Sequence, residues 1–267
     1  MTIQMVVVHL DRIYGKGGSV MKGRLLSVAT VVALFASGLG WLTRPSTGGE
    51  RALRTLRVPS TEDFDVNGHG DAAPWSKASW TQLVSRSADG HSYRTQFKML
   101  YSQTGLYVLM DAQDRVLTAT MNEDFLDLWN EDVFEFFLWP DERHPVYFEY
   151  EISPLGFELP ILIPNFDGQF LGWRPWHYEG SRKTRKATVA FGGSKQSDAS
   201  LTGWRAEVFV PFELLKPLQN VPPKPGVRWR ANVYRMDYDG GKIAGWDWAR
   251  VGPSFHEFEK FGVLIFE

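Results

Sequence analysis

The sequence predicts an all-β fold: an antiparallel β-sandwich of jelly-roll-like form, with an N-terminal signal or anchor helix outside it. Many short segments alternate apolar and polar residues with a period of two, as half-buried strands do. Turns containing glycine and proline separate these segments, and hardly any segment has the period of a helix. Residues that favour strands are also abundant, with 18 Phe, 11 Trp and 9 Tyr among 267 residues.

The start of the chain has the layout of a targeting segment. Met21-Lys-Gly-Arg is basic, and the uncharged run from Leu25 to Leu42 follows it. Such a run suits a secretory signal and is also nearly long enough to span a bilayer. We therefore expect a misassigned upstream extension at 1–20, a signal peptide or membrane anchor at 21–43, a linker at 44–56 and the β-sandwich at 57–267. The protein is expected to be exported to the periplasm or the cell exterior, either released or anchored to the inner membrane.

Composition argues against several functions. The 29 basic and 31 acidic residues give a net charge of −2, so the chain shows no basic footprint for nucleic acid. Cysteine is absent, which excludes disulfides, thiol catalysis and Cys-ligated zinc. The six histidines include no His-x-x-x-His pair, the spacing that zinc hydrolases use on a helix.

The strands are predicted one after another behind a turn-rich segment and a short stretch with Trp75 and Trp80. The first pair is a hairpin, because Tyr93–Tyr101 alternates, Ser102–Gly105 can turn and Leu106–Asp111 is apolar. Further strands are expected at Leu128–Asp141, Val146–Ile152, Lys183–Phe191, Gly203–Val210, Arg228–Tyr234 and Phe261–Phe266. Short helical turns are expected within Val116–Asp127 and at Pro211–Leu215, and irregular loops at Pro154–Tyr178 and around Trp246–Trp248.

The stretch Leu128–Asp141 has two different faces. Phe134, Phe136 and Leu138 share one side of the period-two pattern, and this side must face the core. The other side carries Glu131, Val133, Glu135 and Phe137, and the matching side of the next strand carries Tyr147, Glu149 and Glu151. Two adjacent strands therefore each place carboxylates on a face away from the core, and a loop just before them can present the ring of Trp129.

Six segments in this order resemble the family 9 carbohydrate-binding modules and their solo bacterial relatives. They are Trp75, the hairpin Tyr93–Asp111, Trp129-Asn-Glu-Asp-Val-Phe-Glu-Phe-Phe, Gly203-Trp-Arg-Ala-Glu-Val-Phe-Val-Pro-Phe, Arg228-Trp-Arg-Ala-Asn-Val-Tyr-Arg and Phe261-Gly-Val-Leu. The resemblance covers essentially all of Leu56–Glu267. It implies a β-sandwich that binds an oligosaccharide or polysaccharide and catalyses nothing itself.

The resemblance also implies roles for particular residues. In these modules two aromatic rings clamp the sugar, and polar groups on the concave sheet bond its hydroxyls. Trp129 matches the first ring position and Glu135 the acidic residue on the strand that follows. Phe255 stands where the second ring, a tryptophan, is expected, and Glu149 or Glu151 replaces an expected basic residue on the partner strand. Structural calcium is a further feature of the family, and the oxygen-rich candidates here are Asp65, Asn67, Asp71 and the turn at Asp237 and Asp239.

Sugar binding needs aromatic rings for the C–H faces of the sugar and charged or polar groups for its hydroxyls. The same residue types can therefore be collected directly from the sequence. The candidate ligand-binding residues are Trp129, Glu135, Phe255, Arg205, Glu207, Glu149, Trp173 and Trp246.

Two alternatives remain open at this point. Glycoside hydrolysis uses two carboxyl groups about 5–9.5 Å apart, and four glutamates are expected on one sheet face: Glu135, Glu149, Glu151 and Glu207. A haem-binding sandwich domain is the second alternative, because related sandwich families ligate haem through His and Met. Its candidate ligands are His144, His177, His256, Met99, Met110, Met121 and Met236.

Overall fold

The strands of the chain pair into two sheets. The computed structural model describes residues 53–86, 93–166, 169–172, 174–176 and 179–267, so the targeting segment and most of the predicted linker lie outside the described residues. The strands are β1 (Thr55–Val58), β2 (Thr81–Gln82), β3 (Val84–Ser85), β4 (Thr95–Tyr101), β5 (Gly105–Gln113), β6 (Val133–Trp139), β7 (Val146–Ile152), β8 (Glu158–Phe166), β9 (Gln169–Phe170), β10 (Arg174–Pro175), β11 (Arg185–Phe191), β12 (Gly203–Pro211), β13 (Arg228–Asp237), β14 (Ala244–Asp247) and β15 (Gly262–Phe266).

Helical structure is limited to short pieces. They are the α-helical turn α1 (Phe212–Leu215) and 3₁₀ turns at Ala73–Lys77, Leu128–Asn130, Gly180–Arg182, Asp239–Gly241 and Phe258–Lys260. Within the described ranges no helix is long and apolar enough to cross a membrane.

The larger sheet has the order β1-β15-β13-β6-β7-β8-β10, with β14 bridging β13 to β3 and with β9 pairing to β8. The smaller sheet has the order β11-β12-β5-β4-β2. The predicted antiparallel arrangement holds for these pairs with one correction, since β1 runs parallel to β15. A parallel edge pair of this kind joins the start and end of the domain and leaves no trace in the periodicity of either strand.

The main core fills the space between the sheets. The ring of Phe134 in the larger sheet lies 4.0 Å from that of Trp204 in the smaller sheet, which places the two sheets face to face. Phe136 and Leu138 are fully buried in the same cluster, so the predicted core face of this strand is confirmed. Alternation in β6 also places Val133 and Phe137 in a second apolar cluster on the outer face of the larger sheet.

Three predicted elements need correction. The segment Pro154–Tyr178, expected to be irregular, contains the nine-residue strand β8. Pro160 and Pro164 are tolerated in β8 because their carbonyls still accept hydrogen bonds, from the N–H groups of Trp176 and Leu171, so only β8's N–H pattern is interrupted. The Trp246 region is strand β14 and not a loop, and the helical turn expected within 116–127 forms at Leu128–Asn130 instead.

Candidate functional site

A cavity of about 590 Å³ lies over the outer face of the larger sheet. Its floor is formed by strands β6 and β7, and the loops before β6 and before β15 form two of its sides. Four of the predicted site residues line it together: Trp129, Glu135, Glu149 and Phe255. Glu151, Phe137, Phe170, Tyr238, Met236, His256 and Arg86 are among the other lining residues.

Trp129 reaches the cavity because the chain makes a single 3₁₀ turn before β6. Leu128 is buried as the anchor of this turn, and the N–H of Glu131 closes it by donating to the carbonyl of Leu128 at 3.0 Å. The hydroxyl of Tyr238 donates to the carbonyl of Trp129 at 2.7 Å and ties the turn to the end of the neighbouring strand β13. The indole is half-buried against the outer cluster and lines the cavity with the rest of its surface.

Three carboxyl groups form the acidic part of the floor. Glu135 on β6 and Glu151 on β7 are directly opposite in the strand register, and Glu149 is two residues from Glu151 on the same face. The three residues are only 2%, 4% and 0% exposed for Glu135, Glu149 and Glu151 respectively. One oxygen from each lies within 4.8 Å of one from each of the others. The floor is therefore a compact, buried acidic triad.

The triad binds protons more tightly than ordinary glutamates. Burial raises the pKa of Glu149 to about 8, and burial together with the neighbouring carboxylates raises the pKa values of Glu135 and Glu151 well above normal. Within the described part of the chain, four of its buried oxygens receive no hydrogen bond from a residue outside the triad: Glu135 Oε1, Glu149 Oε2 and both oxygens of Glu151, although Glu149 and Glu151 lie within hydrogen-bond reach of each other. These oxygens point to a ligand, because buried polar atoms in a native fold are normally paired.

Two further aromatic residues of the cavity, Phe255 and Phe170, differ in how much ring they offer. The ring of Phe255 stacks on Tyr234 with 4.1 Å between centroids, and the guanidinium of Arg86 lies over it at 4.9 Å. The ring of Phe170 stacks on His256 at 4.2 Å and remains 42% exposed. Phe170 therefore offers more free ring surface to a ligand than Phe255 does.

Two predicted site residues, Arg205 and Glu207, lie on the other sheet. Both are in β12, so the expectation that Glu207 shares a sheet face with Glu135 is wrong. Glu207 accepts hydrogen bonds from the N–H groups of Asn67 and Gly68 and from the indole of Trp75, which pins the N-terminal loop. Arg205 bonds Asp111 at 2.7 and 2.9 Å.

Of the two remaining tryptophan candidates, only Trp246 is described, and it does not reach the cavity. Trp246 is 2% exposed in the main core, where its ring stacks on Tyr93 and the guanidinium of Arg235 lies 4.9 Å from it. It faces the core because alternation in β14 sends its neighbour Gly245 to the cavity instead. Trp173 lies outside the described residues.

The cavity also contains three residues outside the set of candidate ligand-binding residues: Glu151, Phe170 and His256. The signal for Glu151 was present, since it alternates with Tyr150 and Ile152 on the same face as Glu149. Phe170 lies in the short strand β9 and His256 in the loop before β15, and their contact depends on how the β8–β9 hairpin and that loop fold. The periodicity of the sequence does not predict such a long-range contact.

A second group of carboxylates lies away from the cavity and belongs to the fold. Asp114, Asp132 and Asp237 converge, and the buried guanidinium of Arg235 donates to Asp114 at 3.0 Å and to Asp237 at 2.6 Å. Asp132 accepts from the N–H groups of Thr118 and Tyr238. Arg235 thus supplies to Asp114 and Asp237 the positive charge that a calcium ion would otherwise supply. Of the other calcium candidates, Asn67 donates to Asp71 within the same loop, and Asp65 pairs with Arg185 of the distant strand β11.

The candidate haem ligands are spread over the domain. Met236 and His256 line the cavity, whereas Met99 and Met110 are buried in the main core. His144 lies in the exposed turn between β6 and β7, and His177 is outside the described residues. His256 Nδ1 is already 2.7 Å from the hydroxyl of Tyr147, and burial lowers the pKa of His256 to about 4, so this ring is neutral.

Comparison with known proteins gives matches to a family model and to solved structures. Residues 66–159 match the model of the carbohydrate family 9 binding domain-like family. This span includes Trp129 and the whole acidic triad and ends before Phe170 and Phe255. The search of curated protein sequences found no match.

The similar structures share the fold at low sequence identity. A protein of Bacteroides uniformis ATCC 8492 described as carbohydrate-binding is 15% identical with a TM-score of 0.68, covering 81% of this chain and all of its own. A family 9 module of Caldicellulosiruptor kristjanssonii in complex with cellotriose is 16% identical with a TM-score of 0.55, covering 80% of this chain and 94% of its own. The same kind of module in complex with glucose is 14% identical with a TM-score of 0.55, covering 79% and 96%. The predicted resemblance to the family 9 carbohydrate-binding modules is therefore confirmed, by the family model over residues 66–159 and by the fold of the described domain.

Proposed function

We propose that the domain binds carbohydrate in the cavity and releases it unchanged. The observation that carries this proposal is a half-buried indole, Trp129, beside a floor of buried carboxyl oxygens that lack hydrogen-bond donors. A sugar matches both the indole and the carboxyl oxygens, since its C–H face stacks on an aromatic ring and its hydroxyls donate to carboxylates. The family model is named for carbohydrate binding, and two structures with this fold hold cellotriose and glucose, which supports the proposal.

In this proposal the sugar ring lies against Trp129, and Phe170 limits it on the other side. Hydroxyl groups on the buried edge of the sugar donate to Glu135, Glu149 and Glu151. The cavity volume of about 590 Å³ lies in the range of about 300–1,000 Å³ that is usual for small-ligand sites. The ligand is an oligosaccharide or the end of a polysaccharide, because the cavity holds only a short piece.

The arrangement of the triad favours binding over hydrolysis. A glycosidase places its acid and its nucleophile or base on opposite sides of the scissile bond. Here Glu135, Glu149 and Glu151 lie side by side on one floor, and Glu207, the fourth candidate, is on the other sheet. None of the three can therefore face another across a bound sugar.

A glycan array on the full-length protein, followed by titration calorimetry with the best ligand, tests the proposal. Trp129→Ala is expected to weaken binding about tenfold or more, because a stacked ring is lost. Trp80→Ala is the matched control, since Trp80 is a half-buried tryptophan packed on the smaller sheet beside Lys98. Absence of binding to every glycan, or an equal loss in both variants, contradicts the proposal.

Two simple measurements address the alternatives. Turnover of aryl glycosides or polysaccharides that is lost in Glu135→Gln would show a hydrolase. A Soret band in the purified protein would show haem ligation, for which Met236 and His256 are the residues in the cavity. We expect no turnover, because the three glutamates lie side by side on one floor. We expect no Soret band, because the acidic floor would repel the propionates of haem.

Export is the remaining part of the proposal. The uncharged run Leu25–Leu42 behind a basic start supports a signal peptide or an uncleaved anchor in the segment 21–43. Fusing residues 1–56 to a reporter that is active only outside the cytoplasm tests this directly. Cleavage is then read from the mass of the fusion, and an inactive reporter contradicts export.

A further inference from the structure

The acidic triad in the floor has no cationic partner in the described part of the protein. Among the described residues, the ion pairs of Glu135, Glu149 and Glu151 include no Lys or Arg, and the basic ring beside them is that of His256, whose Nδ1 is 3.8 Å from Glu149 Oε2. Burial holds that ring neutral by lowering its pKa to about 4. Three buried acids without a balancing charge are costly, because desolvation favours either a proton or a cationic ligand at such a site.

The other polar groups around the triad are already engaged. The hydroxyl of Tyr147 pairs with His256, and that of Tyr234 accepts from Asn232 and donates to the carbonyl of Phe255. The cavity's arginine is Arg86, whose guanidinium donates to Asp247 at 2.7 Å and to the carbonyl of Gly252. Among the described residues, no cation balances the triad, so its charge is neutralised either by bound protons or by a cationic ligand that displaces them.

The dimensions of the triad suit a primary ammonium group. Its oxygens lie within 4.8 Å of one another, so an atom placed at their centre lies about 2.8 Å or less from each of them. This is the length of a charge-assisted N–H···O bond. An ammonium group has three N–H donors and no acceptor, which gives one donor for each carboxyl group.

Aromatic rings beside the triad favour an organic cation over a metal ion. Trp129, Phe137 and Phe170 line the same cavity, and aromatic faces attract cations. A calcium ion needs six to eight oxygen ligands, whereas an ammonium group is satisfied by three acceptors. The cavity is also far larger than a bare ion, with room for a sugar ring beside the triad.

We propose that the cavity is specific for carbohydrate bearing a free primary amine, with the ammonium group on Glu135, Glu149 and Glu151 and the sugar ring on Trp129. This inference rests on the proposed carbohydrate binding and adds the class of sugar. An N-acetylated sugar carries a neutral amide with one donor, and a neutral sugar carries none of the required charge. Both are bound more weakly than the amino sugar.

Calorimetric titration of the full-length protein at pH 6.5 with β-1,4-linked oligomers of glucosamine, N-acetylglucosamine and glucose tests the inference. The glucosamine oligomer is expected to bind at least tenfold more tightly than the other two. Glu151→Gln is expected to remove most of this preference, and the exposed Glu62→Gln is the matched control that keeps it. Circular dichroism and the melting temperature check that each variant is folded.

The remaining outcomes separate this inference from the function on which it rests. Equal binding of amino and neutral sugars overturns the amine specificity and leaves carbohydrate binding in place. Binding of a neutral sugar that needs added calcium and is lost in EDTA also overturns it, because the triad then holds a metal. If no oligomer binds here and the glycan array is blank, both proposals fall. A preference that survives in Glu151→Gln places the amine elsewhere and contradicts the inference.

Discussion

Glu135 and Glu151 stand directly opposite each other on β6 and β7, and both carboxyl groups are buried. Like charges directly opposite each other in a sheet destabilise the pairing of the two strands, so this pair does not serve the stability of the fold. Their pKa values are raised by burial and by their acidic neighbours. Because these carboxyl groups bind protons more tightly in the folded state, the stability of the fold depends on pH. The sign of that dependence follows from the raised pKa values.

The ligand-free protein is expected to lose stability as pH rises from 6.5 to 8. A carboxyl group whose folded pKa is raised binds protons more tightly in the folded state, so stability falls between its ordinary and its raised pKa. The pKa of Glu149 is raised to about 8, and those of Asp132 and Asp114 to about 8 and about 7, all by burial. The lowered pKa of His256, about 4, acts only below this window.

Each fully titrating group contributes about 1.4 kcal/mol per pH unit at most. Urea denaturation at several pH values measures the slope, and Glu149→Gln is expected to flatten it and to be the more stable protein at pH 8. Glu62→Gln is the control and should follow the wild type. A stability that rises with pH across this window contradicts the expectation.

The sequence predicts β6 and β7 well and the assembly of the site only in part. Period-two alternation assigns Phe134 and Glu135 to opposite faces, because side chains in a strand must alternate. It does not say which sheet a strand joins, and for that reason Glu207 was grouped with Glu135 although β12 lies in the other sheet. Phe170 was missed because it reaches the cavity only through the β8–β9 pairing, a long-range consequence of packing.

Glu207 is expected to matter for stability and not for binding. It is fully buried and accepts three hydrogen bonds, from the N–H groups of Asn67 and Gly68 and the indole of Trp75. Glu207→Ala leaves these donors unpaired and should lower the free energy of unfolding by about 2–3 kcal/mol. Affinity for the glycan found on the array should change less than twofold. A large loss of affinity in the folded variant would falsify the assignment of Glu207 to the fold.

Arg235 is expected to be the most sensitive charged position of the core. Its guanidinium is fully buried and donates to Asp114, Asp237 and the carbonyl of Gln113. Arg235→Met leaves buried carboxylates without a cation, which costs about 3–5 kcal/mol.

The loss in Arg235→Met should be smaller at pH 5.5 than at pH 8. Protonation then neutralises Asp114 and Asp237, whose pKa values of about 7 and about 6 rise further without the arginine. Urea denaturation at both pH values measures this, with Arg250→Met as a partly exposed control. Equal losses at both pH values would mean that charge is not the cause.

Phe170 and Phe255 are expected to respond differently to removal of their rings. Phe170 is 42% exposed at the cavity, so Phe170→Ala should leave the melting temperature nearly unchanged and weaken glycan binding about 2- to 10-fold. Phe255 stacks on Tyr234 and lies under Arg86, so Phe255→Ala should cost about 1–2 kcal/mol of stability with a smaller effect on affinity.

Thermal unfolding and calorimetric titration of the two variants with one glycan show whether Phe170 or Phe255 supplies the second ring of the clamp. The resemblance to family 9 modules implies Phe255 as the second clamp ring, whereas ring exposure favours Phe170. A stronger loss of affinity in Phe255→Ala than in Phe170→Ala, with both proteins folded, would show that Phe255 supplies the second ring, as the resemblance to family 9 modules implies. The opposite order means that Phe170, carried on the β8–β9 hairpin, supplies the second ring, because the face of Phe255 that a sugar would need is already covered by the protein.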